Sequence, residues 1–149
     1  MSVYLVRFLN VPPAALPGER GDRLDDLPGD ADALQGSFLD ALDRRGSTDE
    51  AARLVVRYLT LGHAPEALIA TLAQAVLRED AEFHTYQMLE AGVRQSREWG
   101  RSAEAGHVLI AVARYLAAHS PTERAQLQTA DVARRLTRGQ SLHEATEPC

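Results

Sequence analysis

The chain has 149 residues, 45% hydrophobic and 25% charged, the size and composition of one ordinary globular domain that needs neither disulfide nor metal to bury a core. All 16 basic residues are arginine, so a Schiff-base lysine, a P-loop lysine and a carboxylated-lysine metal ligand are excluded. The formal net charge of -5 argues against nucleic acid and anionic membrane surfaces as partners, and the single cysteine, Cys149, excludes an internal disulfide and any zinc or iron–sulfur site built from several cysteines.

Residues Val3 to Leu9 form a short apolar run compatible with a strand or a short helix. Arg7 interrupts the run and no basic leader precedes it, so it reads as neither a membrane span nor a signal peptide, and a cytoplasmic location is the default expectation. Pro12, Pro13, Pro17, Gly18, Gly21, Pro28 and Gly29 then break regular structure. Residues 1–30 are expected to be an irregular N-terminal arm lying over a helical body, pinned by Val11, Leu16, Leu24 and Leu27. The alternative is an arm exchanged with a partner subunit.

From residue 31 the apolar residues recur at helical spacing. Leu34, Phe38, Leu39 and Leu42 mark a helix over about 31–44, ended by Gly46. Ser47 with Glu50 forms a capping-box pattern opening the next helix, whose apolar face is Leu54, Val55, Tyr58, Leu59 and Leu61 before Gly62. Pro65 suits the first turn of a third helix carrying Leu68, Ile69, Leu72, Val76 and Leu77. The segment Phe83 to Trp99 is either a fourth helix or a continuation of the third, because no Gly or Pro lies between Leu77 and Phe83.

A fifth helix is expected over about 103–119. It is apolar nearly all round, as a helix near the centre of a bundle would be. Ser120-Pro121-Thr122-Glu123 then reads as the clearest helix start in the chain: a capping serine, a first-turn proline and a closing glutamate. The last helix carries Leu127, Ala130, Val132, Ala133 and Leu136 and stops at Gly139. The fold expected is all-α: a single-domain bundle of five to six antiparallel amphipathic helices over residues 31–140, with residues 141–149 as a flexible tail.

Candidate chemistry rests on histidine. His84 lies at the border of the polar and apolar faces of its helix, and His107 is one of the few polar residues on the fifth helix. If the bundle brought both rings into one pocket, they could act as metal ligands with Asp80 and Glu104, or with Glu79, Glu82 or Glu90 beside them. The cofactor would then be non-heme iron or another divalent metal. Glu104 and His107 form a single Glu-x-x-His, whereas di-metal bundles carry that motif twice. The opposing reading has each histidine satisfied by a carboxylate or backbone partner at the core boundary. His63 fits a turn, His119 a helix end favoured by the macrodipole, and His143 the tail. Phe83, Tyr86 and Trp99 fit core or interface anchors. No serine carries a nucleophile elbow and no Gly-rich phosphate loop is present.

The segments RFLNVPP, LREDAEFHTYQMLEAGVRQ and GHVLIAVARYLAAHSPTERAQLQTADVARRL resemble a bacterial helical module found beside Rieske-type iron–sulfur domains, and the questin-oxidase-like helical proteins. The resemblance implies a helical accessory or interaction module of an oxidoreductase-type system, with a protein partner or homo-oligomer, a homodimer being expected. It also implies an alternative, a small non-heme metal-dependent oxidoreductase using His84 and His107. A Rieske cluster needs two cysteines, which this chain lacks, so no iron–sulfur cluster of its own is implied.

Overall fold

The computed structural model describes Ala15, Pro17 and residues 23–140. These form six helices: α1 (Ala31–Ala41), α2 (Thr48–Thr60), α3 (Pro65–Arg78), α4 (Phe83–Trp99), α5 (Ala103–Ala118) and α6 (Ala125–Thr137). The all-α expectation holds, and the helices begin and end close to where periodicity and glycine signals put them. No described helix is long and apolar enough to cross a membrane.

The core follows from the helical stripes. Leu34 and Phe38 of α1, Leu54, Val55 and Tyr58 of α2, and Leu68, Leu72 and Val76 of α3 are buried against Leu109, Val112, Ala113 and Leu116 of α5. The expected central position of α5 is therefore realised. Tyr58 is buried because its hydroxyl is satisfied at both ends: it donates to the Ala64 carbonyl at 3.0 Å and accepts from Gln35 at 3.2 Å. Helices α4 and α5 approach closely at Gly92, where a Cβ atom would lie 2.3 Å from Cγ2 of Val112. Of the arm positions expected to pin the N-terminal segment, Leu27 packs on the core and Leu24 lines a surface groove. Val11 and Leu16 lie outside the described residues.

Two capping expectations are corrected. Ser47 precedes α2 but makes no side-chain cap; its hydroxyl is buried without a hydrogen-bond partner, and Glu50 turns instead to Arg44 at 2.7 Å. The Ser120–Glu123 pattern does not open the last helix either. Helix α6 starts at Ala125, preceded by Arg124 in a left-handed conformation, and Ser120–Pro121 is a cis peptide. The cap of α6 comes from across the molecule: the Asp80 carboxylate accepts from the amides of Ala125 at 2.8 Å and Gln126 at 2.9 Å. Forty-odd residues of separation hide such a cap from any local pattern.

The same carboxylates explain the break between α3 and α4, where no Gly or Pro forces one. Glu79 leaves the helix with an extended backbone, and the residue is buried, only 8% exposed. It accepts from the amide of Thr122 at 2.7 Å, the hydroxyl of Thr122 at 2.8 Å and the Arg124 guanidinium at 2.7 and 3.0 Å. Continuing the helix would leave these donors without that acceptor. Two acids offered by the sequence as candidate metal-ligand carboxylates thus fasten the α5–α6 turn to the α3–α4 turn.

Candidate functional site

The α3–α4 and α5–α6 turns meet in a charged junction. Arg124 reaches both Glu79 and Asp43, and Arg78 donates to Asp43 and to the Leu39 carbonyl, each at 2.8 Å. Burial opposes the charge on Glu79, but Arg124 and Thr122 outweigh it and hold the carboxyl below its ordinary range. Arg124, then the opposing burial, then Arg78 act on Asp43 with the same net direction. Both acids stay ionised at neutral pH, and the buried Arg78 Nε, 3.7 Å from Glu79 Oε1, makes no hydrogen bond. Such a cluster acts as a clamp, with no carboxylic proton to give.

Beside the clamp lies a cavity of about 280 Å³, lined by Asp80, Glu82, His84, Thr85, Tyr115 and His119 among others. Several of its polar atoms are committed. Both oxygens of Asp80 cap α6. The Nδ1–H of His84 donates to Gln87 at 3.1 Å, and the His119 ring stacks on Tyr115 and donates to its carbonyl at 2.8 Å.

The expected joint site of His84, His107, Asp80 and Glu104 is not assembled. Asp80 and His84 share the cavity just described, whereas His107 lines a different groove with His63, Ser96 and Arg101. The reason is the hairpin of α4 and α5. His84 opens α4 and faces the end of α5, while His107 near the start of α5 faces the end of α4. Twelve residues of helix between these levels separate them by about 18 Å at the usual rise per residue. No single ion bridges that distance. Both histidines and Glu104 are exposed. The Glu104 carboxyl is held below its usual range by its own amide, by Ser102 and, more weakly, by His107. Among the described residues, no group of three or more His, Cys, Asp or Glu side chains converges as a metal ion requires. His63 takes the turn role expected of it, its Nε2–H donating to the Gly29 carbonyl at 2.9 Å.

The feature that pattern reading missed is the exposure of α6. The helix buries none of its residues. Val132 and Leu136, with Ala125 and Thr129, form one stripe at i, i+4, i+7 and i+11 that faces solvent, and Leu127 is exposed on the opposite side. The two residues that flank Asp80 at three positions either side, Leu77 and Phe83, are 74% and 70% exposed. Asp80 itself holds the first turn of α6. Leu77 was expected among the apolar residues of α3; it lies within that helix but about 100° around from Val76, off the buried Leu68–Leu72–Val76 stripe, and is exposed.

No family model matches this chain, and no curated protein and no solved structure matches it either.

Proposed function

We propose that the chain is a non-catalytic helical interaction module, the accessory role implied by its resemblance to helical modules of oxidoreductase-type systems, and that α6 with Leu77 and Phe83 is the surface by which two copies associate. The observation that carries this reading is a helix that buries nothing yet presents a regular apolar stripe. Contiguous exposed apolar surface of this kind marks association sites in soluble proteins.

A second copy fits by shape. In an antiparallel two-fold pairing of α6 helices, Leu136 meets Ala125 and Val132 meets Thr129, so large residues face small ones. Thirteen residues of helix extend only about 20 Å. Exposed Leu77 and Phe83, near in sequence to the Asp80 that caps α6, would add apolar area toward the roughly 800 Å² per partner of a stable interface.

Sedimentation velocity of the full chain over a concentration series tests this. The expected result is a monomer–dimer equilibrium whose Kd rises at least tenfold in V132D and L136D with helicity unchanged. A monomer at every concentration, or a dimer indifferent to both substitutions, would remove the reading.

A further inference from the structure

The cavity of about 280 Å³ beside the clamp is bordered by polar groups that the fold itself does not use. Thr85, in the first turn of α4, and Ser120, just after α5, both line it and are only 9% and 8% exposed. Among the described residues neither hydroxyl has a hydrogen-bond partner. The buried unpartnered side-chain atoms that are sealed off entirely are Ser47 Oγ, Arg53 Nε and Arg78 Nε, and these two hydroxyls are not among them. They therefore open on the space their residues border. A buried polar group without a partner is an exception in folded proteins and points to something that fills the gap. At the mouth stand Glu82, His84 and His119, all exposed. Each imidazole donates through Nδ1, to Gln87 and to the Tyr115 carbonyl, which leaves Nε2 of the neutral ring as an acceptor. Glu82 precedes α4 without capping it, and no described residue pairs with its carboxylate.

We propose that this cavity binds a small aliphatic amine as its ammonium ion. The sign of the charge decides the class. Glu79, Asp80 and Glu82 line the cavity and no arginine does, although every basic residue of the chain other than histidine is an arginine. Glu79 is balanced by Arg124 and Asp80 by the first turn of α6, so Glu82 is the charge left without a counterion. The uncapped first turn of α4 would by itself attract an anion, but the excess of carboxylates around it favours a cation. A metal ion does not fit, because among the described residues no three ligating side chains converge. An ammonium group donates to the Glu82 carboxylate and to the imidazole Nε2 atoms at the mouth. The aliphatic chain lies against Ala75, Val76 and Leu116, and a second polar end meets the hydroxyls of Thr85 and Ser120. The volume lies under the roughly 300–1,000 Å³ of pockets for drug-sized ligands, so the occupant is small. No residue of α6 lines the cavity, so this assignment and the α6 surface stand or fall separately.

Titration of the full chain with putrescine, followed by amide NMR, tests the assignment. Butanediol and succinate carry neutral and negative ends on the same carbon chain and serve as controls. The expected result is saturable shifts centred on Thr85 and Ser120, with putrescine binding at least tenfold more tightly than either control. Glu82→Gln, at an exposed position, and Thr85→Val, which keeps the shape of the side chain, are each expected to weaken putrescine at least tenfold with helicity unchanged. Absence of saturation by putrescine at millimolar concentration, or binding indifferent to both substitutions, would overturn the proposal. Succinate binding as tightly as putrescine would overturn it in favour of an anion site at the start of α4. Zinc alone displacing putrescine at stoichiometric amounts would overturn it in favour of a metal site.

Discussion

Substitution of Glu79 by glutamine separates α6 from the rest of the fold. The carboxylate accepts four hydrogen bonds, two from Thr122 and two from Arg124, and its side chain is only 7% exposed while that of Arg124 is 25% exposed. Glutamine keeps the shape but loses the charge, and its amide group turns a donor toward donors. Hydrogen bonds to a charged group contribute about 1.5–3 kcal/mol net, and breaking one side of a buried pair costs about 3–5 kcal/mol. The Asp80 cap and the Arg124–Asp43 pair survive the change, so a loss of about 2–3 kcal/mol is expected in the docking of α6. That raises the α6 opening constant by roughly 30- to 150-fold. Because α6 buries no residue, the loss is local. Amide hydrogen exchange resolved by segment reads it: residues 125–137 exchange faster by that factor, while the amides of α5 around Val112 keep their protection. Equal loss in both segments would show that the clamp supports the core itself. No change in either would show that Glu79 holds nothing.

Acidification tests the same clamp with the opposite control. The Glu79 carboxyl is depressed in the folded protein, so its contribution is complete above the ordinary carboxylate range and is lost as pH falls through the folded value; α6 protection is expected to fall before that of α5, and simultaneous loss would contradict the clamp. Gly92→Ala places a methyl group 2.3 Å from Val112 and is expected to lower stability by about 1–3 kcal/mol despite alanine's better helix propensity, measured by denaturant unfolding. Gly36→Ala, in a helix with nothing within 4 Å of the added carbon, is expected to raise stability by about 0.5–1 kcal/mol in the same assay. The Gly92 and Gly36 variants shifting together would show that propensity, and not the α4–α5 approach, decides.

The helices were legible because their signals are local. Pro65 at a first turn, Gly62 and Gly100 past helix ends, and the Leu68–Leu72–Val76 spacing each depend on residues within a few positions, and each is realised. The arrangement around α6 was not legible because its determinants are long-range. Ser120–Glu123 has the composition of a cap, yet Thr122 is taken by Glu79 and the capping carboxylate belongs to Asp80. Helical wheels place His84 and His107 on faces, but the level of each along the α4–α5 hairpin decides whether they meet. A stripe such as Val132 and Leu136 reads identically whether it is buried within a chain or offered to another one. Periodicity reports that a face is apolar; only the packing of the remaining helices shows that nothing in the described chain covers it.

The concentration dependence of the sedimentation coefficient, measured side by side for the unmodified chain and for L136D, addresses the central claim most directly. Association through α6 requires the unmodified chain to move from monomer toward dimer as concentration rises, and requires the aspartate variant to remain monomeric with the same helicity. Identical monomeric behaviour of the two proteins over the whole range would contradict it.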